Sequence, residues 1–358
     1  MRIGLVAHSF YPEKDGVAIH VYNLAMQLAS LGEDVHVFTS GKGDAVEQMK
    51  GFTVHRIKSF RMPIFSSLYV CPGLLVELRK AKLDVVHAHG YGNLFSPVAG
   101  LYCMLSGKRM VLTLHGYPDL QGPRRMFLIL YRALLAPLFL VPAKAIISVS
   151  ELGKERIAKE TKTEVTIIPN GVDLAKFGCK NSYMDSETIA YVGRLDEDKG
   201  VMRIASEVNA KRKVLFAGKD EGMREKLAAE CKRRGISAEF TEVSPDRVAE
   251  IYCRSRMVLL PSRYEGFPLT MLEALASGRP FLSTDVGEVK RVLSELMPRS
   301  WQYLIIGGSI EESIINAESH AREIGLDLAE IGKRIKKYGW GEVAERTLGI
   351  YKRLSGRV

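Results

Sequence analysis

Residues 2–40, "RIGLVAHSFYPEKDGVAIHVYNLAMQLASLGEDVHVFTS", hold a complete supersecondary unit. "RIGLVA" is a short apolar run, the pattern of a strand buried on both faces. "HSFYPEKDGV" is a polar loop, and "AIHVYNLAMQLASL" follows as a helix with Leu24, Leu28 and Leu31 on one face. Gly32 stops the helix and "DVHVFTS" is the next strand. Strand, helix and strand in this order make a β–α–β unit with parallel strands.

The alternation continues. "DVVHAH" (84–89), "RMVLTLH" (109–115), "AIISVS" (145–150) and "VTIIP" (165–169) extend the first series of strands. The turn-rich "PNGVDLAKFGCKNSYMDSE" (169–187) reads as a linker. A second series then follows: "TIAYVG" (188–193), "KVLFAG" (213–218), "SAEFTEV" (237–243), "RMVLLPS" (256–262) and "RPFLST" (279–284). The expected fold is α/β, with two doubly wound Rossmann-like domains facing across a deep cleft. The expected bounds are 1–168, a linker at 169–187, a second domain at 188–337 and a closing helix in 338–358.

Composition narrows the function. A length of 358 residues suits two ordinary domains. Lys and Arg number 51 against 41 Asp and Glu, a net charge of +10 that favours anionic partners. Phosphorylated substrates or a membrane surface rank ahead of nucleic acid, for which no motif is visible. "MRIGLVAHSF" lacks a signal-peptide pattern. The apolar stretch at 126–149 is broken by Arg132, Pro137, Pro142 and Lys144, so it reads as a buried helix and a strand. The expected location is cytoplasmic, or peripheral on the cytoplasmic face of a membrane. The five cysteines are scattered without a C-x-x-C pair, which predicts neither a zinc site nor a disulfide.

The chemistry gathers after strands. "SRYEGFPLTMLEALASGRP" (262–280) puts Glu265 in a loop, Pro268 at the first helical position and Glu273 inside the helix. Leu269 and Glu273 share a face, and free N–H groups at the helix start offer a seat for phosphate. Taken alone, either glutamate reads first as a solvated charge. "GRLDEDKG" (193–200) sets Arg194 and Lys199 across an acidic turn, where they suit a diphosphate or else pair with Asp196, Glu197 or Asp198. Gly16 precedes the first helix and lets an anion approach its N-terminus, or is simply a loop glycine. His115 ends an apolar strand, as an inert core histidine or a neutral donor at a reacting centre. His87 and His89 are read as facing opposite sides, which argues against metal ligation. Asn170 and Gly171 read as a structural turn. The first loop has no G-x-G-x-x-G, so a dinucleotide cofactor is not expected.

These motifs together resemble the retaining glycosyltransferases of family 4, which have the two-Rossmann-domain GT-B fold. The resemblance rests on "YPEKDGVAIHVYNLA", "LTLHG", "IIPNGVDLAKF", "YVGRLDEDKG", "PSRYEGFPLTMLEALASGRP" and the tryptophan-bearing last helix. It implies transfer of a sugar from a nucleoside diphosphate sugar to an acceptor hydroxyl, on a lipid, a glycan or a small molecule. No other cofactor and no metal are implied. Arg194 and Lys199 would hold the diphosphate, Glu273 the ribose and Glu265 the sugar hydroxyls. Backbone around Gly266, Phe267, Leu269 and Thr270 would contact sugar and phosphate, with His115 near the reacting centre. The last helix would cross back to the N-terminal, acceptor-binding domain, and the C-terminal domain would bind the donor. Where relatives commonly carry two glycines in the first loop, this chain has Asp15 and Gly16, and Asp15 is expected to point away from a diphosphate. A nucleotide-sugar epimerase, a phosphorylase with a pyridoxal-bearing lysine and a non-catalytic nucleotide-sugar binder are the alternatives. Arg56, Lys58, Arg61, Arg79, Lys80 and Lys82, with Arg124, Arg125 and Arg132, flank apolar runs and suggest a face for anionic membrane.

Overall fold

The structure is a computed structural model that describes residues 1–13, 15–61, 69–117 and 124–356. It divides into two compact units, Met1–Asn170 with Trp340–Val358, and Gly171–Gly339.

The first unit carries β1 (Arg2–Val6), β2 (Asp34–Gly41), β3 (Ala45–Met49), β4 (Phe52–Lys58), β5 (Phe60–Arg61) and β6 (Tyr69–Val70). β7 (Val85–His89), β8 (Arg109–Leu114), β9 (Ala143–Ser148) and β10 (Val165–Ile167) complete it. Eight of these form one sheet in the order β10-β9-β8-β7-β1-β2-β4-β3. Every pair is parallel except β3 with β4. All five residues of β7 are buried, as expected of a parallel strand covered on both faces. Val6, Val86, Leu112 and Ile146 from neighbouring strands share a core with Phe95, Ala99 and Cys103 of the Phe95–Ser106 helix.

The β3–β4 hairpin is a departure from the expected pattern. "FTVHRIK" has Phe52, Val54 and Ile57 buried and only Lys58 exposed, but β3 is a short polar edge strand with little apolar signal of its own. Residues 126–149 form the end of the Arg124–Leu134 helix, the Ala136–Leu140 helix and β9. Among the described residues no helix is long and apolar enough to cross a membrane. The final helix, Trp340–Ser355, packs in the first unit on the Gly16–Ser30 helix and on β8.

The second unit carries β11 (Thr188–Val192), β12 (Lys213–Ala217), β13 (Ser237–Thr241), β14 (Met257–Leu260) and β15 (Phe281–Ser283). They form an all-parallel sheet in the order β13-β12-β11-β14-β15. Residues 171–187, read from sequence as a linker, belong to this unit, with Phe177 buried. Cys179 in that segment is disulfide-bonded to Cys253, with Cα atoms 5.4 Å apart. This corrects the expectation of no disulfide. The pair is 74 residues apart in sequence and is made by tertiary packing, which spacing rules do not see. Cys71, Cys103 and Cys231 are free and buried.

Candidate active site

In the second sheet the chain runs β11, β12, β13 in one direction, then returns to β14 beside β11 and continues to β15. The connection reverses between β11 and β14, and the crevice beyond the carboxyl ends there is where doubly wound sheets bind ligands. β11 leads into Arg194 and Lys199, and β14 into Ser262 and Glu265. The two loops touch through a glycine. Gly200 has φ +68°, and a Cβ there would lie 2.1 Å from the Pro261 carbonyl oxygen.

Seven expected site residues lie on these two loops and at the start of the helix that follows. Lys199 Nζ donates to Glu265 Oε1 at 2.6 Å, and Ser262 Oγ donates to the same oxygen at 2.7 Å. The Lys199 backbone N–H donates to Asp196 Oδ1 at 3.0 Å, which fixes the acidic turn. Arg194 pairs with Asp196 at 3.1 Å but is 53% exposed, so its fork retains donors for an anion. Gly266 accepts from the Glu288 N–H at 3.2 Å, and a Cβ on Gly287 (φ +54°) would fall 2.4 Å from the same carbonyl oxygen. Phe267 is buried. Leu269 and Thr270 open the Leu269–Ala276 helix, where Pro268 is the N-cap and not the first helical residue.

Glu273 is no solvated charge. It is 8% exposed, and its Oε2 accepts the Tyr252 hydroxyl hydrogen at 2.5 Å. Burial pushes its carboxyl above the usual range, against the Tyr252 bond and the Lys176 charge, which both pull it down.

In the first unit the reversal lies between β1 and β7, and three histidines converge near it. His115 follows β8, His89 ends β7 and His20 lies on the Gly16–Ser30 helix. His89 Nδ1 and His115 Nε2 are 3.1 Å apart, and His20 Nδ1 is 3.0 Å from Asn170 Oδ1. The His20 ring sits edge-on to His115 at 4.6 Å and to Trp340 at 5.2 Å. Burial holds His115 and His89 well below the ordinary histidine range and His20 at about 4, so all three are neutral near pH 7. One ring nitrogen of each lies within 4.8 Å of the others. Such a set can hold a transition metal that imidazole suits, and it offers no carboxylate of the kind that magnesium prefers.

Two expectations need correction here. His87 and His89 face the same side of the sheet, with ring centroids 4.1 Å apart, because residues i and i+2 of a strand share a face. His87 is then occupied by Tyr351 and Thr113, at 2.5 and 2.6 Å. The anion seat expected beside Gly16 is filled by the chain itself. Asp15 caps the helix, accepting from the Val17 and Ala18 N–H groups at 2.9 and 3.0 Å, and Ser9 Oγ donates to its other oxygen.

Sequence reading passed over His20, Asn170, Ser262 and Tyr252. His20 had a signal, since it lies four and eight residues before Leu24 and Leu28 on the buried face. Asn170 was read only as a turn, and Tyr252 meets Glu273 across 21 residues, beyond any local pattern.

Two doubly wound units, one with cations and carboxylates at its switch point, are the framework of a GT-B glycosyltransferase. A profile described as Glycosyltransferase Family 4 matches residues 14–176, and one described as Glycosyl transferases group 1 matches residues 186–321. The chain belongs to the family 4 glycosyltransferases. It is 25% identical to the GPI3 subunit of phosphatidylinositol N-acetylglucosaminyltransferase from Saccharomyces cerevisiae, over 99% of this chain and 83% of that one. It is 24% identical to phosphatidyl-myo-inositol mannosyltransferase from Mycolicibacterium smegmatis, over 99% of this chain and 95% of the relative. Among solved structures, sucrose-phosphate synthase from Thermosynechococcus elongatus superposes with a TM-score of 0.75 at 19% identity, covering 100% of both chains. Anabaena HepE in complex with UDP gives 0.74 at 16% identity, covering 99% of this chain and 100% of that one.

Proposed function

We propose that this glycosyltransferase moves a sugar from a nucleoside diphosphate sugar to a lipid-borne hydroxyl, with retention at the anomeric carbon. The observation that carries the reading is the meeting of Lys199 and Glu265 from adjacent strand ends at 2.6 Å, beside the half-exposed Arg194. The second unit binds the donor. Arg194 and Lys199 hold the diphosphate and stabilise the charge that develops as it leaves, which makes a divalent cation unnecessary at that step. Glu265 meets sugar hydroxyls and Glu273 meets the ribose. Backbone groups of Gly266, Phe267, Leu269 and Thr270 line the donor. The first unit binds the acceptor, with His115 as a neutral hydrogen-bonding group at the reacting end. The leaving diphosphate takes the acceptor proton, in a displacement from the same face.

Inositol-lipid relatives support the lipid acceptor, and HepE bound to UDP supports a nucleotide donor. The Arg124–Leu134 helix supports a peripheral position on anionic membrane. Met126, Ile129, Leu130 and Leu134 form one stripe between 47% and 68% exposed, opposite the buried Leu128 and Tyr131. The stripe lies on a chain of net charge +10. Of the flanking cations, Arg56 is held by Glu47 and the Tyr11 carbonyl, Lys80 by Glu77 and Arg132 by Glu160. Residues 62–68 and the side chains of Arg61, Arg124 and Arg125 lie outside the described residues.

The test is turnover of UDP- and GDP-sugars with a lipid extract, with and without EDTA. The expected result is nucleoside diphosphate release matched by glycosylated lipid, retained configuration and a rate indifferent to EDTA. Epimerised donor without acceptor, or saturable binding without turnover, would overturn the reading.

A further inference from the structure

The Val248–Cys253 helix ends beside the Leu269–Ala276 helix, and its end is unusually well fixed. Cys253 is covalently tied to Cys179. Arg279, only 1% exposed, donates through Nε to the Tyr252 carbonyl at 2.9 Å and through a terminal nitrogen to the Cys253 carbonyl at 3.1 Å. Its guanidinium also reaches the Asn181 carbonyl and side chain, at 3.1 and 2.8 Å. Asn181 in turn donates to the Cys253 carbonyl at 2.9 Å. Between these ties stands Tyr252, fully buried, with Phe177 edge-on to its ring at 5.6 Å.

All of this rigidity converges on one contact, from the Tyr252 hydroxyl to Glu273 Oε2. We propose that Tyr252 is the positioning residue for Glu273, locking one carboxylate oxygen so that the other is presented to the ribose hydroxyls of the donor. The inference rests on the ribose role proposed above for Glu273. A buried glutamate has free side-chain torsions, and an unlocked one would lose entropy again each time a nucleotide bound. A hydroxyl donor held by a disulfide, a buried arginine and an aromatic edge removes that cost before the ligand arrives. It also favours the ionised carboxylate, the form that accepts hydrogen bonds from two ribose hydroxyls. The titratable and charged groups facing Glu273 are Tyr252, from the Val248–Cys253 helix, and Lys176, from the segment before β11.

The experiment is calorimetry with UDP and GDP and with their 2′,3′-dideoxy counterparts. Wild type, Tyr252→Phe, Glu273→Gln and the double variant are compared between pH 5 and 8. Tyr252→Phe is expected to cut the preference for ribose over dideoxyribose about tenfold, the equivalent of one lost charge-assisted bond. It should also move the acid limb of nucleotide affinity to higher pH, since Glu273 loses a bond that lowers its pKa. In the double variant the Phe substitution should add nothing to the effect of Gln. That variant buries two neutral groups together and remains informative even if the single Phe variant folds poorly. An unchanged preference in Tyr252→Phe, with collapse in Glu273→Gln, overturns the proposal and leaves the ribose role of Glu273 standing. An unchanged preference in Glu273→Gln overturns both. A further tenfold loss on adding Phe to Gln would mean that Tyr252 touches the nucleotide itself, and the positioning role fails.

Discussion

Lys199 and Glu265 form an ion pair of 2.6 Å between the loops that follow β11 and β14, the two strands that flank the switch point of the second sheet. Their side chains are 21% and 11% exposed, so neither charge is fully solvated. Removing either partner strands the other in a partly desolvated place. On the proposed reading of the site, the two act as a unit towards diphosphate and sugar. Lys199→Ala and Glu265→Ala should each lower kcat/KM about 100-fold or more, as expected for a lost electrostatic contact to a reacting group. The double variant should fall well short of the product of the two losses. Initial rates for the four proteins check this, and strictly multiplicative losses would separate the residues.

The histidines of the first unit make its stability depend on pH. His20 is held down to about 4 from an ordinary 6.5, and His87, His89 and His115 are pushed in the same direction by burial. As pH falls below 6.5 the unfolded chain takes up protons that the folded unit refuses. Stability is therefore complete above about 6.5 and is lost as pH falls towards 4. His20 alone accounts for about 3 kcal/mol across that window. Urea unfolding at pH 7.5 and 5 should show the loss, and His20→Gln should flatten it. A midpoint that does not move between those pH values would mean that the ring cluster titrates normally.

The succession of strands along the chain, and the polar residues that follow them, were legible because each rests on local pattern. Buried parallel strands such as β7 and β14 are continuous apolar runs, and a polar residue straight after one announces itself. Glu265 follows β14 in the same way, whereas the burial of Glu273 inside its helix had no such local signal, since alone it reads as a solvated charge. What escaped depends on which distant residue a side chain meets. Nothing around Cys179 announces Cys253, and nothing in "AEIYCRS" announces that Tyr252 will face Glu273. The His87 and His89 error was different in kind, since a period of two already places them on one face.

The Cys179–Cys253 link spans 74 residues and ties residues 171–187 to the end of the Val248–Cys253 helix. Closing a loop of that size in the unfolded chain stabilises the fold by about 2–5 kcal/mol. Cys179→Ser should lower the melting temperature of the second unit. Reduction of the wild type should bring it to the same value. Indifference to both treatments would mean that the link does not form in solution.

The exposed stripe on the Arg124–Leu134 helix predicts salt-sensitive sedimentation with phosphatidylglycerol vesicles and little with phosphatidylcholine. Ile129→Asp with Leu130→Asp should abolish it without changing the melting temperature, because both side chains already face solvent. Transfer to a short-chain soluble acceptor should be spared by the same change. Binding that survives two buried carboxylates at the interface would exclude this face as the contact.

Asp15 supplies the last test. Its carboxylate takes the Val17 and Ala18 N–H groups and receives the Ser9 hydroxyl, so these two donors at the start of the Gly16–Ser30 helix are already satisfied from within. A diphosphate oxygen at the same groups would have to displace a covalently attached anion. Two consequences separate the cap from the charge. Asp15→Ala removes the cap and should cost about 1 kcal/mol of stability. Asp15→Asn keeps an oxygen for the N–H groups and removes the charge, so stability should hold. If the helix start takes no part in binding the donor, turnover of Asp15→Asn should stay within about twofold of wild type, well under 1 kcal/mol of barrier. A tenfold rise in kcat/KM for the asparagine variant would show that the carboxylate repels a diphosphate bound beside it, and would return Gly16 to the donor site.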